Sequence, residues 1–369
     1  MDEQLEPKKR TKYLDIVENL QSDISSGRFR PGSRLPSEAE LTRKFAVSRM
    51  TVVKAVQQLQ QQGLLVRRPG SGTYVANAVN ESGLVFGLLI PELGQTEIFE
   101  PICRGMVRSP LAATHSLSWG HTLSSGKNRA EEAEQLCQTY IEQRVSGVFF
   151  GPQEFGPPRH NVNERILLAL KKADIPVVLL DRCVLKYPER SEYDLIGLDN
   201  RRAGYIVTDH LIRQGATHIA FFAREGSAET VEERISGYHE ALYDNDLSIS
   251  KELVLRGDAA DKTFVEGALR VRQIDSIMCA NDRTAASLMH TLIDLGVRIP
   301  QDIRIAGVDD VRYASLLPVP LTTFQQPCAE IGAVSMSAML ERVRNRQLPT
   351  RSIMLNGKLI VRQSCGAKA

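Results

Sequence analysis

The chain has 369 residues, 42% of them hydrophobic and 24% charged, with a formal net charge of +2, which is ordinary for a soluble globular protein with room for two or three domains. No apolar run approaches the roughly 18 residues that span a bilayer, and the acidic, apolar-poor start Met1-Asp-Glu-Gln is no export signal, so neither membrane insertion nor secretion is expected. Charge is unevenly spread: residues 1–78 hold 13 Lys+Arg against 8 Asp+Glu and the remainder 33 against 36, which places the basic excess at the amino-terminal end.

Residues 1–11 are polar and charged, include Lys8-Lys9-Arg10, and read as a disordered lead. From Lys12 to Ser26, Tyr13, Ile16, Val17, Leu20 and Ile24 recur at helical spacing, and Gly27 ends the helix. The stretch LPSEAELTRKFAVSRMTVVKAVQQL, residues 35–59, predicts two short helices. Ser37 and Glu40 form a capping box for the first, whose apolar side carries Leu41 and Phe45. Ala46-Val47 make the turn and Ser48 caps the second. There Val52, Ala55, Val56 and Leu59 share one buried arc and leave Arg49, Met50, Val53, Lys54 and Gln57 on the opposite face. A hairpin-like segment follows, in which Arg67 and Arg68 precede Pro69-Gly70-Ser71-Gly72-Thr73. Its glycines permit a tight turn and close approach to a sugar-phosphate backbone.

Two helices with a tight turn and a basic β-wing are the layout of a DNA-reading head. Phosphate contacts supply affinity and base edges supply sequence choice, so a helical first turn bearing donors, here Ser48, Arg49 and Thr51, suits a major groove. The alternative is a small amphipathic helical hairpin with a solvated basic face. In order, Pro31-Gly-Ser-Arg-Leu-Pro-Ser37-Glu38, Leu41, Ser48-Arg49, Thr51-Val52, Ala55, Leu59, Gly63-Leu64 and Gly70-Ser-Gly72-Thr73 resemble the GntR-type winged-helix transcription regulators over residues 13–76. The resemblance implies a DNA-binding domain at residues 12–76. Its DNA-contacting set is Ser37, Glu38, Ser48, Arg49, Met50, Thr51, Val53, Lys54, Arg67, Arg68, Gly70, Ser71 and Gly72. The chain departs from the family at Ala39 and Val53, where many members carry arginine. That removes a bidentate guanine contact and leaves Met50 and Val53 to meet thymine methyl groups.

Residues 77–83, NAVNESG, read as a polar linker. From Leu84 onward about ten short apolar runs (LVFGLLI, SLSW, VSGVFFG, IPVVLLD, DLIGLD, HIAFFA, ELVL, SIMCAN and IRIAGVD among them) alternate with helical stretches. Buried strands alternating with helices predict a parallel sheet covered on both faces. Ten strands exceed one comfortable sheet, so the expected fold is two doubly wound α/β lobes with ligands outside the carboxyl ends of the strands. Pro110 within CRGMVRSPLAATHS should kink or shorten the first helix of this region.

Residues 84–369 resemble the LacI/GalR repressor core, a type I periplasmic-binding-protein fold. The fragments that carry the likeness are VSGV at 145–148, IPVVLLDR at 175–182, LDNRRAG at 198–204, RISGY at 234–238, CAND at 279–282, IPQDI at 299–303, GVDD at 307–310 and LTTFQQP at 321–327. A GntR-type head fused to this core looks like the arabinose repressor group of Gram-positive bacteria. The resemblance implies a homodimer on a pseudo-palindromic operator and a small sugar between the lobes, held by Asp181, Arg234, Asn281, Asp309 and Gln326. Phe99, Glu92 and Trp119 are further candidates, Trp119 as a stacking ring; Asp199 reads as a helix cap and is set aside.

Catalysis has no visible machinery. GHTLSSGKN at 120–128 is one residue too long between its glycines for a P-loop and lacks the following Ser/Thr; no G-x-S-x-G and no H-E-x-x-H occurs. Six widely spaced cysteines, Cys103, Cys137, Cys183, Cys279, Cys328 and Cys365, without zinc-type spacing suggest reduced thiols in a cytoplasmic protein that needs no metal or cofactor. The expected function is a sugar-responsive transcription repressor. Its rivals are an activator, a solute-binding sensor without DNA binding, and a sugar-modifying enzyme tethered to DNA.

Overall fold

The computed structural model describes residues 12–25, 28–29, 32–61, 64–68, 71–75, 83–90, 97–120, 129–153 and 159–367. The candidate residues Gly70 and Glu92, the Lys8-Lys9-Arg10 run, the linker apart from Gly83 and all of the P-loop-like stretch except Gly120 lie outside them. The chain divides into two compact units at residues 1–81 and 82–369.

In the first unit, helices α1 (Lys12–Ser25), α2 (Glu38–Phe45) and α3 (Arg49–Gln61) are followed by strands β1 (Leu65–Arg68) and β2 (Gly72–Val75), which pair antiparallel. The capping box at α2 is complete: Ser37 N–H donates to Glu40 Oε2 at 2.7 Å and Glu40 N–H to Ser37 Oγ at 3.3 Å. Ala46 ends the helix in the left-handed region at φ 51° and so turns the chain into α3. The apolar arcs of the three helices meet in one core of Ile16, Leu20, Leu41, Val52, Ala55 and Leu59, closed by Leu65 and Val75 of the wing.

The second unit holds two six-stranded sheets. In lobe 1, β3 (Val85–Leu89), β4 (Ser116–Trp119), β5 (Gly147–Phe150), β6 (Val177–Leu180), β7 (Asp194–Leu198) and β13 (Ser352–Leu355) run in the order β13-β7-β6-β5-β3-β4. In lobe 2, β8 (Ile219–Ala223), β9 (Val254–Arg256), β10 (Ser276–Cys279), β11 (Arg304–Asp309), β12 (Thr322–Gln325) and β14 (Lys358–Ile360) run in the order β14-β12-β11-β10-β8-β9. All pairings are parallel except β14 against β12. The doubly wound two-lobed expectation is borne out. Strands β13 and β14 were not expected: both are half-exposed edge strands, so neither carries the continuous apolar run that marks a buried strand.

Each lobe buries its sheet under two helix pairs. In lobe 1, α4 (Phe99–Arg108) and α11 (Cys328–Arg344) cover one face, α5 (Arg129–Glu142) and α6 (Arg159–Lys172) the other. In lobe 2 the pairs are α7 (Asn200–Arg213) with α8 (Glu229–Asp244), and α9 (Lys262–Arg272) with α10 (Asp282–Asp294). Helix α4 stops at Arg108, and Pro110 opens a short 3-10 turn, the shortening expected of a ring that removes a backbone donor. The chain passes between lobes three times, after β7, after β12 and after β13. At Gly357 in the third crossing a Cβ would stand 2.3 Å from the Gln325 carbonyl oxygen, so only glycine lets the second and third crossings lie together.

Lobe 1 is tied to its late strand by a buried ion cluster. Asp194, whose side chain is fully buried, accepts from Arg342 Nη2 at 2.8 Å and from Arg351 Nη2 at 3.2 Å. Removing one partner of a buried pair leaves the other charge uncompensated, so Asp194→Asn is expected to destabilise the effector unit by about 3–5 kcal/mol. Denaturant unfolding of the variant beside the native protein measures this; a loss under about 1 kcal/mol would mean that solvent already screens the pair.

Candidate functional site

On the first unit the exposed start of α3 presents Arg49 and Met50, the latter 75% exposed. Ser48 caps the helix: its Oγ accepts the Thr51 N–H at 3.2 Å and lies 2.8 Å from Thr51 Oγ1. Val53 is half-buried, and Lys54, though exposed, folds back with its ammonium 4.5 Å from the Tyr13 ring. Glu38, in the first turn of α2, gathers cations from two elements. Arg49 Nε and Nη2 both donate to its Oε2 at 3.2 Å, and Arg67 of the wing stands 3.9 Å from its Oε1. Exposed pairs of this kind contribute at most about 1 kcal/mol, so the guanidiniums are readily exchanged for phosphates. In the wing, Gly72 adopts φ +124° with the Arg34 guanidinium against its open side, and Ser71 Oγ lies 2.7 Å from Tyr74 Oη. Arg68 pairs with Gly72 through the backbone; its side chain lies outside the described residues.

In the second unit, Asp181, Asn281, Asp309 and Gln326 lie at the carboxyl ends of β6, β10, β11 and β12, while Arg234 comes from helix α8. Arg234 on α8 is buried, with Nε donating to Asn200 Oδ1 at 2.8 Å and Nη1 to the Ala280 carbonyl at 2.5 Å; its Nη2 stands 3.9 Å from Asp309 Oδ1. Asn200, at the first lobe crossing, also donates to the Leu198 carbonyl, so the arginine is fastened to the hinge. Helix α8 can lie this close to α7 because Gly204 faces the Arg234 carbonyl, where a Cβ would come within 2.1 Å. Asp309 closes β11 at φ +129° and accepts from Gln326 Nε2 at 2.6 Å. Gln326 is 4% exposed and its Oε1 has no hydrogen-bond partner. Burial raises the Asp309 carboxyl to about 6, against the lowering effects of Arg234 and Gln326, and the Asp181 and Glu97 carboxylates push in the same direction as burial. Behind it, Asp282 is fully buried and held well above the usual carboxylate range by desolvation and by Asp309; it accepts from Thr323 Oγ1 at 2.6 Å and Val311 N–H at 3.0 Å.

Asp309 and Gln326 line a cavity of about 710 Å³ with Glu97, Asp310, Tyr313, Gln325, Cys328 and Lys358 among its other walls. Asp310 and Gln325 lie within the quoted motifs and Cys328 directly follows one, so all three were findable there, whereas Glu97, Tyr313 and Lys358 are single loop or edge residues that no pattern marks. Burial pushes the Cys328 thiol up to about 12, so it lines the wall as a neutral group. Asp181 is buried at φ +69° after β6 and accepts from Arg182 Nε at 3.0 Å. Asn281 spends its side-chain oxygen on capping α10, accepting the Thr284 N–H at 2.8 Å. Phe99 is packed into the lobe 1 core, with the Arg182 guanidinium 6.0 Å from its ring centroid. Trp119 is 57% exposed at the end of the edge strand β4; of the predicted effector residues described, only Asp309 and Gln326 line the cavity, and Asp181, Arg234, Asn281, Phe99 and Trp119 do not. Asp199 caps α7 as expected, accepting the Arg202 N–H at 3.0 Å.

A helical hairpin with a wing, in one chain with a two-lobed fold whose strand ends line a cavity, defines a DNA-binding regulator with an effector domain. Residues 12–75 match the bacterial regulatory proteins, gntR family, and residues 208–365 match the periplasmic binding protein-like domain. The arabinose metabolism transcriptional repressor of Geobacillus stearothermophilus is 27% identical over 366 residues, 96% of this chain and 97% of that one. The HTH-type transcriptional repressor PurR of Vibrio vulnificus is 31% identical over 238 residues, 63% of this chain and 68% of that one. The crystal structure of the transcription regulator CcpA of Lactococcus lactis matches with a TM-score of 0.65 at 22% identity, covering 76% of this chain and 99% of that one. The chain carries both a gntR-type DNA-binding domain and a periplasmic-binding-protein-like domain, and it belongs with the bacterial HTH-type transcription repressors. It is a regulator, as are these relatives, and not an enzyme.

Two expectations test the two faces. Arg49→Ala should weaken operator binding by about 1–3 kcal/mol and relax preference at one base position; binding to a panel of single-base operator variants measures it, and a uniform loss would reassign Arg49 to phosphate. Asp309 should be needed ionised to accept a ligand hydroxyl, so affinity for a neutral polyol should fall roughly tenfold as pH drops from 7 to 5, through the value of about 6. Calorimetric titration at three pH values checks this, with Asp309→Asn expected to give a flat profile.

Proposed function

We propose that this repressor acts in the cytoplasm as a homodimer and releases its operator when a small neutral sugar binds between the lobes of residues 84–369, residues 12–76 reading the DNA. The observation that carries the effector reading is the meeting of Arg234 with Asp309 and Gln326, the latter two lining the cavity, with one buried amide oxygen left for a ligand donor. Sugar hydroxyls both donate and accept, and this set offers both: carboxylate and amide oxygens as acceptors, a guanidinium as donor. Two carboxylates, Asp181 and Glu97, act on Asp309 against the one guanidinium of Arg234, which disfavours a phosphorylated ligand there. A pentose is the first candidate, since the relative matched over nearly its whole length is named for arabinose metabolism. Proposed effector contacts are Asp181, Arg234, Asn281, Asp309 and Gln326, with Phe99, Glu92 and Trp119 secondary. The DNA contacts proposed are those given for the head above.

Release requires that the sugar bind the operator-free form better than the operator-bound form, because coupling between two sites is reciprocal. The test is a mobility shift with an operator selected from random duplexes, titrated with arabinose and a panel of other mono- and disaccharides. One sugar is expected to lower operator affinity by about tenfold or more; no response to any sugar in the panel would remove the effector reading while leaving the DNA-binding assignment intact.

A further inference from the structure

Tyr313 follows β11 of lobe 2 and Glu97 precedes α4 of lobe 1, yet Tyr313 Oη donates to Glu97 Oε1 at 2.6 Å across a sequence separation of 216 residues. Both residues line the cavity that Asp309 and Gln326 also line. Each end is anchored in its own lobe. The turn carrying Tyr313 is held by the Val311 N–H on buried Asp282, by Asp310 between Arg362 Nη2 (2.7 Å) and Gln325 Nε2 (2.6 Å), and by the fully buried Ala314. On the other side, Glu97 adjoins Ile98 and the core residue Phe99 at the entry to α4. A second bond joins the lobes: the Tyr187 N–H of lobe 1 donates to Glu229 Oε1 at the start of α8 at 3.2 Å. Burial and the Glu97 carboxylate raise the Tyr313 hydroxyl, which keeps it a proton donor at all physiological pH.

We infer that Tyr313 and Glu97 form an inter-lobe latch that holds the cleft closed and sets how much of the protein is in the closed form before any effector arrives. Because the bond joins residues fixed in different lobes, breaking it costs the closed form one charge-assisted hydrogen bond. The open form loses nothing, since water replaces either partner there. The consequence for effector and operator affinity rests on the proposed function; the latch itself does not.

Two arms separate these. In the first, spin labels at Leu168→Cys of lobe 1 and Ile249→Cys of lobe 2, both about half exposed, report the inter-lobe distance in full-length protein. The background has its accessible thiols replaced by serine, labelled chains are diluted in unlabelled ones, and no sugar is present. Tyr313→Phe and Glu97→Ala are each expected to shift the population toward a longer distance by about tenfold in the closed-to-open ratio. The double variant should shift no further than either single one, and Glu97→Gln, which keeps an acceptor, should stay near native. A native-like distribution in Tyr313→Phe, or additive shifts in the double variant, would overturn the latch. In the second arm, operator affinity without sugar and the arabinose concentration for half-release are measured for the same variants. The latch predicts tighter operator binding and about tenfold more arabinose for release. If the distances shift while operator affinity does not, the latch stands and the coupling of closure to DNA release is wrong.

Discussion

A guanidinium without partners in a protein interior is too costly to keep, and the way lobe 2 satisfies Arg234 arranges the rest of the effector site. Its Nε is held by Asn200 at the first lobe crossing and its Nη1 by the Ala280 carbonyl at the end of β10, which leaves Nη2 turned toward Asp309. Asp309 in turn holds Gln326 at the second crossing. One buried cation thus ties together helix α8, two strand ends and two of the three connections between the lobes. The glycine contact between α7 and α8 is what lets the helix bring that cation so close to the hinge.

The same network explains how a small ligand would act on the arrangement of the two lobes without any long-range force. Groups beside the cavity are bonded directly to the crossings, so a ligand that favours one lobe arrangement acts on the hinge itself. A sugar can move the equilibrium only by its differential affinity for the two arrangements, and residues that bias the unliganded equilibrium set the concentration at which it responds. The Tyr313 and Glu97 pair stands outside the predicted contact set, at a position suited to that tuning. On the DNA side, Glu38 does related work on a smaller scale, holding Arg49 near the wing's Arg67 through weak exposed bonds that a phosphate backbone can replace.

Much of this was legible in the residue order, and the gaps have physical causes. The capping box at Ser37 and Glu40, the buried arc of α3 and the nine apolar runs from LVFGLLI to IRIAGVD rest on local periodicity, and each became the element it implied. Strands β13 and β14 escaped notice because edge strands are half exposed and lack a continuous apolar run. Asn281 shows a different limit: its motif suggests a ligand contact, and only the structure reveals that its side-chain oxygen also caps the first turn of α10. Phe99 is similar, an aromatic at the right place in the chain that the lobe 1 core has absorbed.

By itself, the sequence determined the DNA-reading head, the doubly wound lobes and the strand-end carboxylates, because helix caps, apolar arcs and buried strands are written in residues a few positions apart. Only the tertiary structure decided which of those strand ends share a cavity, that Asn200 supports Arg234, and that Tyr313 meets Glu97. Those contacts join residues 34 to 216 positions apart, and hydrogen bonds between such partners depend on sheet order and on where the chain crosses between lobes, which no local pattern encodes.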